Sequence, residues 1–243
     1  MIPVTEVIFI IICLFINFIL FYFILFYFIY KMDTSDKKYD KIFCIGANKT
    51  GTTSLGHTLK KLGFNLGNQR QAELLADDYM SNNFEPIIDY CKSANVFQDI
   101  PFSLPETYKY LDKEFPNAKF ILSVRDTPEM WYNSLLNFHN KVFFHGRKNL
   151  AEIMKNVKYV KKGWCYNIFK HMYKTPDNDL YNKKMLISFY KNHNRAIINY
   201  FKDKPGKLLI VNLSKKDDFN NLISFLNIKD TRDLQKFLHL NKT

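Results

Sequence analysis

The sequence predicts a three-layer α/β domain with a mainly parallel central sheet, preceded by one transmembrane helix. From residue 41 onward, short apolar runs rich in β-branched and aromatic residues alternate with helix-patterned stretches. Such alternation builds a parallel sheet covered by helices on both faces. The first run, Lys41 to Ile45, meets Gly46 and a polar loop before a helical pattern opens at Thr52. Ahead of it, residues 7–30 are almost wholly Ile, Leu, Phe, Val and Tyr, enough as a helix to cross about 30 Å of hydrocarbon.

Residues 7–30 are expected to be a retained anchor. The run exceeds the roughly 7 to 15 residues of a signal-peptide core, and no small-x-small cleavage site follows. Glu6 precedes it, and Lys31, Lys37, Lys38 and Lys41 follow, so the positive-inside rule leaves the domain in the cytosol. Residues 31–40 form a short charged linker, and residues 41–243 the domain.

Within the domain, Lys41 to Ile45 is the first strand. Leu55, Leu59 and Leu62 then mark one helix face, which Gly63 closes. Ala94 to Gln98 reads as the second strand. Ser103 and Glu106 have capping-box spacing with Pro105 between them, predicting a helix to Phe115. Lys119 to Val124 is a buried strand, and Asp126 or Thr127 caps the next helix with Pro128 just inside it. Residues 140–182, rich in lysine and aromatics without a clear period, form a helical, loop-rich insert. A helix over Lys183 to Phe201, a strand over Lys207 to Asn212 and a helix over Asp217 to Leu226 complete the pattern.

The 243 residues, 47% of them hydrophobic, hold one membrane segment and one domain of ordinary size. A net charge of +12 suits an anionic ligand or an acidic membrane surface. Nucleic acid is not an expected partner, because the lysines are scattered and no zinc spacing, basic heptad or RNP-like motif occurs. Cys91 and Cys165 are the remaining disulfide candidates once Cys13 in the apolar run and Cys44 in the first strand are set aside. Asn48, Asn212 and Asn241 begin formal glycosylation sequons.

The segment KIFCIGANKTGTTSL, residues 41–55, carries the chemistry. Gly46 and Gly51 permit a loop whose N–H groups point into one cavity, the following helix adds its positive dipole end, and Lys49 adds a full charge. Phosphate or sulfate is the matching ligand. The nucleotide P-loop places its lysine directly after the second glycine; here Thr52 stands there and the lysine lies two positions before Gly51, which weakens an ATPase or kinase reading. In FILSVRDTPEMWYNSL, Arg125 ends a buried strand where it can bind a second phosphate. In VFQDIP, Asp99 follows the second strand, where a capping or salt-bridging role is the plain reading. His57, His139, His145 and His193 form no metal-binding pattern, and no metal is expected.

The run K-T-G-T-T-S-L resembles the 5′-phosphosulfate loop of sulfotransferases that use 3′-phosphoadenylyl sulfate (PAPS), which have a P-loop-like fold. The resemblance implies that Lys49, Thr50, Gly51, Thr52, Thr53 and Ser54 bind the 5′ end of PAPS, with Lys49 also catalytic. It implies that Arg125 and Ser134 bind the 3′-phosphate. Their separation is one residue longer than in better-known members, so either Thr127 is an insertion in the turn or Ser134 faces elsewhere. Asp99 matches the family's general base, and FLHLNKT resembles a Phe-Pro-His-x-Asn ending with Leu238 in place of proline. The Arg-Lys-Gly segment that covers the nucleotide in cytosolic members is absent, and lysine-rich residues 140–162 are the candidate substitute. The implied function is sulfuryl transfer from PAPS to a hydroxyl, or second an amine, of a glycan, glycolipid or small alcohol, with residues 140–182 shaping the acceptor site. Family analogy implies a single-pass signal-anchored protein with its domain in the Golgi lumen, opposite to the charge rule. Rival readings are a divergent P-loop nucleotide kinase and a catalytically silent nucleotide-binding membrane protein.

Overall fold

The computed structural model describes residues 18–24 and 40–240. Four short strands form the sheet: β1 (Ile42–Cys44), β2 (Val96–Gln98), β3 (Lys119–Ser123) and β4 (Leu208–Val211). Their order is β2-β1-β3-β4, and every pairing is parallel. In parallel pairs each strand must be reached by a crossover, which explains the helices between them. The chain moves to one side of β1 for β2 and to the other for β3. The crevice beyond the carboxyl end of β1 is therefore a topological switch point, the usual ligand position in open α/β sheets.

Side-chain alternation along the strands builds two cores. Phe43, Ile45, Phe97, Phe120 and Leu122 face one side, and Ile42, Cys44, Val96, Ile121 and Val211 the other. Both faces of the central strands are apolar, as a sheet covered twice requires. The second face is covered by α1 (Thr52–Lys61), through the expected Leu55, Leu59 and Leu62, and by α10 (Lys216–Phe225), through Phe219 and Leu222. The first face is covered by α2 (Gln69–Leu74), α3 (Ala76–Met80), α4 (Glu85–Tyr90), α5 (Thr107–Glu114) and parts of α8 (Trp164–Tyr173) and α9 (Lys183–Phe201). A third core joins α6 (Pro128–His139), a π-type turn at Asn140–Phe144, α7 (Leu150–Asn156), α8 and α9 around Trp131, Phe144, Met154 and Tyr173.

The expected transmembrane helix requires correction. Among the described residues no helix is long and apolar enough to cross a membrane. Of residues 7–30, only 18–24 are described, as helix; at 1.5 Å per residue they rise about 10 Å, a third of the span needed. The rest of that run lies outside the described residues. The signal anchor, the membrane partner through residues 7–30 and the Golgi single-pass location rested on that span and are withdrawn with it.

Within the domain, α2, α3 and α4 fill residues 69–90, a stretch without a clear sequence signal. The capping box does not form. The Ser103 hydroxyl donates to Asn48 Oδ1 at 2.9 Å, and Glu106 begins α5 in a left-handed conformation (φ 66°) without a capping bond. Thr127 caps α6 as expected, accepting from Met130 N at 3.1 Å, while Asp126 turns to Asn212. Asn212 is buried and its Nδ2 donates to Asp126 at 2.7 Å, so its sequon cannot carry a glycan in the folded state. Cys44, Cys91 and Cys165 are all free thiols.

Gly46, just past β1, packs directly against Ser123 at the end of β3. A Cβ there would sit 2.3 Å from Ser123 Oγ and 2.4 Å from the Ser123 carbonyl oxygen. Because the second contact is backbone, Gly46→Ala must separate the strands. We expect a loss of about 1–3 kcal/mol in urea unfolding, against an unchanged midpoint if the strands give freely.

Candidate functional site

The loop after β1 is fixed from behind by its own carbonyls. Ala47 O accepts from Thr50 N at 3.2 Å and from Thr50 Oγ1 at 2.6 Å. Asn48 O accepts from Trp131 Nε1 at 2.9 Å, and Lys49 O from Arg125 Nε at 2.8 Å. Lys49 (φ 71°) and Gly51 (φ 101°) both take left-handed backbone, the alternation that aims successive N–H groups into a concavity. No side chain among the described residues caps the N terminus of α1, whose first-turn donors border the cavity at Thr52, Thr53 and Ser54. An anion there receives those donors and the dipole together.

Each sequence-predicted site residue lines one cavity of about 700 Å³. Arg125 Nη2 lies 3.5 Å from Ser134 Oγ, so the longer separation still turns the serine towards the arginine. Thr50 is buried, and its hydroxyl is shared between Ala47 O and Ser123 Oγ at 2.6 Å, so it shapes the loop. Ser54 Oγ accepts from Leu240 N at 3.2 Å and Thr58 Oγ1 from Leu238 N at 3.0 Å, which docks the FLHL segment along α1. Thr52 Oγ1 donates to Asp99 Oδ2 at 3.4 Å.

The charged groups shift one another. Lys49 sits with its ammonium 3.3 Å from the centre of the Phe138 ring. Burial lowers it to about 8; the Asp99 carboxylate opposes that shift and Arg125 reinforces it. Asp99 holds a left-handed backbone (φ 61°) just past β2, and its Oδ1 accepts from Ile100 N at 2.9 Å. Burial raises its carboxyl above the usual range, partly offset by the Ile100 N–H, the Lys49 charge and Thr52. It is therefore a stronger base than an exposed aspartate, close to the lysine that would stabilise negative charge.

Several participants gave no usable sequence signal. Trp131 and Tyr190 stack at 4.6 Å beneath the loop, and Tyr190 OH accepts from Arg125 N at 3.0 Å. An indole and a phenol from helices far apart in sequence thus brace the loop after β1 and the segment at Arg125. His139 also lines the cavity and pairs with Tyr181 OH; burial, then the Lys49 charge, drives it down to about 3, so it stays neutral. Glu73 enters from α2. His57, by contrast, is exposed on α1.

A parallel sheet with a donor-lined turn, a helix N terminus and an arginine–serine pair at its switch point defines an anion-binding enzyme fold of the P-loop-like class. The family model described as "Sulfotransferase domain" matches residues 41–243. The chain belongs to that family, whose members are PAPS-dependent sulfotransferases. No curated protein matches the chain.

The Lys49–Asp99–Arg125 balance can be read without a ligand. In protein carrying ¹⁵N-labelled lysine, the Lys49 resonance should titrate with a midpoint near 8. Asp99→Asn should lower the midpoint by removing the charge that holds the proton, and Arg125→Gln should raise it. A midpoint near the ordinary value of 10.5 would contradict the burial of this group.

Proposed function

We propose that the protein transfers a sulfuryl group from PAPS to a hydroxyl, with an amine as the less favoured acceptor. The supporting observation is the convergence of Lys49, Asp99 and the Arg125–Ser134 pair on one cavity at the N terminus of α1. Residues 41–243 then form the catalytic domain, and residues 140–182 line the acceptor side. The N–H groups and hydroxyls of Gly51, Thr52, Thr53 and Ser54 hold the 5′ end of PAPS, and Thr50 keeps the loop in shape. Arg125 and Ser134 take the 3′-phosphate.

The acceptor oxygen attacks sulfur in line as the bond to the bridging oxygen of the 5′-phosphate breaks. The hydroxyl proton passes to Asp99, and adenosine 3′,5′-bisphosphate (PAP) leaves with the bonding electron pair. Lys49 meets the charge gathering on the bridging oxygen, where preorganised donors act most strongly. The raised basicity of Asp99 suits proton capture. The apolar walls beside it exclude water that would otherwise compete as acceptor.

Calorimetry with PAP, against ADP with and without Mg²⁺, tests the nucleotide half of this reading. PAP should bind without metal, and Lys49→Ala and Arg125→Ala should each weaken it about 10- to 100-fold, the worth of a charge-assisted contact. Preference for ADP with Mg²⁺ would replace sulfuryl by phosphoryl transfer. With an acceptor in hand, Asp99→Asn should lower kcat by about 10² to 10⁴ while PAP binding persists. In the free enzyme kcat/KM should fall on the acid side as Asp99 takes up its proton, and above about 8 as Lys49 loses its own.

A further inference from the structure

The acceptor side of the cavity holds a second carboxylate that the transfer reaction does not use. Glu73 comes from α2, and its side chain is only 8% exposed. The cavity that Glu73 enters is also lined by Tyr159, Trp164, Ile168, Met172 and Tyr173, with the Cys165 thiol. Tyr159 and Trp164 stack at 5.6 Å, and Arg70 lies over the Tyr159 ring at 4.5 Å. The two Glu73 oxygens are unequally held. Arg70 Nη1 donates to Oε2 at 2.8 Å, whereas the contact of Tyr159 OH with Oε1 is 3.4 Å, at the limit of a hydrogen bond.

A charge so placed is costly. Burial raises the Glu73 carboxyl, Arg70 opposes that, and the Asp99 carboxylate raises it further. A buried acid with one weakly satisfied oxygen inside a ligand cavity gains most from a donor that arrives with the ligand. The cavity is also small. At about 700 Å³ for donor and acceptor together, it lies inside the range of roughly 300–1,000 Å³ that takes drug-sized molecules. A glycan would further need many polar partners, and the acceptor side offers chiefly rings, methionines and two acids.

We infer that Glu73 is an acceptor-specificity residue, and that the acceptor is a compact, largely apolar alcohol bearing a second hydrogen-bond donor. The hydroxyl to be sulfated faces Asp99, and the second donor, a hydroxyl or an ammonium, seats on Glu73 Oε1. This rests on the sulfuryl-transfer reading. It adds that the enzyme selects by a contact at the end of the acceptor remote from the reacting oxygen.

Matched phenols test it in the full-length protein with PAPS as donor. One set is 4-propylphenol, 4-(2-hydroxyethyl)phenol and tyramine, which differ only in the terminal methyl, hydroxyl or ammonium; a longer pair is 4-phenylphenol and 4,4′-dihydroxybiphenyl. Lactose represents glycans. In one set or the other, the donor-bearing member should exceed its apolar counterpart in kcat/KM by about tenfold, carried by KM, as expected for a bond to a charged acceptor. Glu73→Met should abolish that preference while PAP affinity stays unchanged. Tyr159→Phe, which frees Oε1 without removing the acid, should enlarge the preference and keeps the test decisive if Glu73→Met does not fold. Equal turnover within both sets, survival of the preference in Glu73→Met, its failure to grow in Tyr159→Phe, or a preference for lactose would each overturn the inference with PAP binding intact. Failure of the wild-type protein to bind PAP would instead remove the sulfuryl-transfer reading beneath it.

Discussion

Three consecutive peptide carbonyls, those of Ala47, Asn48 and Lys49, determine what the rest of the molecule can do. Each is held by its own donor: the loop's Thr50, the indole of Trp131 and the guanidinium of Arg125. A loop whose carbonyls are held outward presents its amides inward, and an anion site needs that polarity at the end of a strand. The support is itself layered. Trp131 is fully buried against Tyr190, and Tyr190 OH accepts from the backbone of Arg125. The close approach of Gly46 to Ser123 brings β3, and hence Arg125, near enough for this bracing.

The electrostatics follow from that geometry. Lys49 and Arg125 are brought together before any anion arrives, and burial and the Arg125 charge both disfavour the protonated form of Lys49. Asp99 relieves part of that cost and carries one of its own, because burial disfavours its charged form. The unliganded site is thus a set of charges that compensate one another incompletely. On the proposed reading, a polyanion improves the position of the cations, and an acceptor hydroxyl that of the acid. Binding energy is available here because solvation has already been removed in folding.

Much of the sheet was legible from residue pattern alone. Strand runs such as KFILS alternate so that successive residues enter opposite cores, and α9 was readable over its full length from Lys183 to Phe201. The loop, Arg125 and Asp99 were legible because each lies just past the end of a strand, and Ser134, inside α6, through the family resemblance. What escaped depends on distance in sequence. Residues 69–90 form three helical segments of five or six residues, too short for a 3.6-residue period to show. Ser103 has capping-box spacing, yet tertiary contact with Asn48 won its hydroxyl. Glu73, His139 and Tyr190 reach the site from helices whose placement no local pattern encodes. The long apolar run at residues 7–30 had composition in its favour, but composition alone did not yield a spanning helix among the described residues.

The segment around Leu238 and Leu240 meets α1 across 180 and 186 positions of sequence, through the hydroxyls of Thr58 and Ser54. Phe237 fills the core behind the same helix. During synthesis, then, the helix that presents the anion loop emerges from the ribosome among the earliest parts of the domain but lacks its neighbour until nearly all the rest has been made. The Ser54 and Thr58 hydroxyls meanwhile lack these two backbone donors, although Thr58 Oγ1 still has Ser54 O to donate to. A chain interrupted before Phe237 therefore holds the loop without the packing that supports its helix.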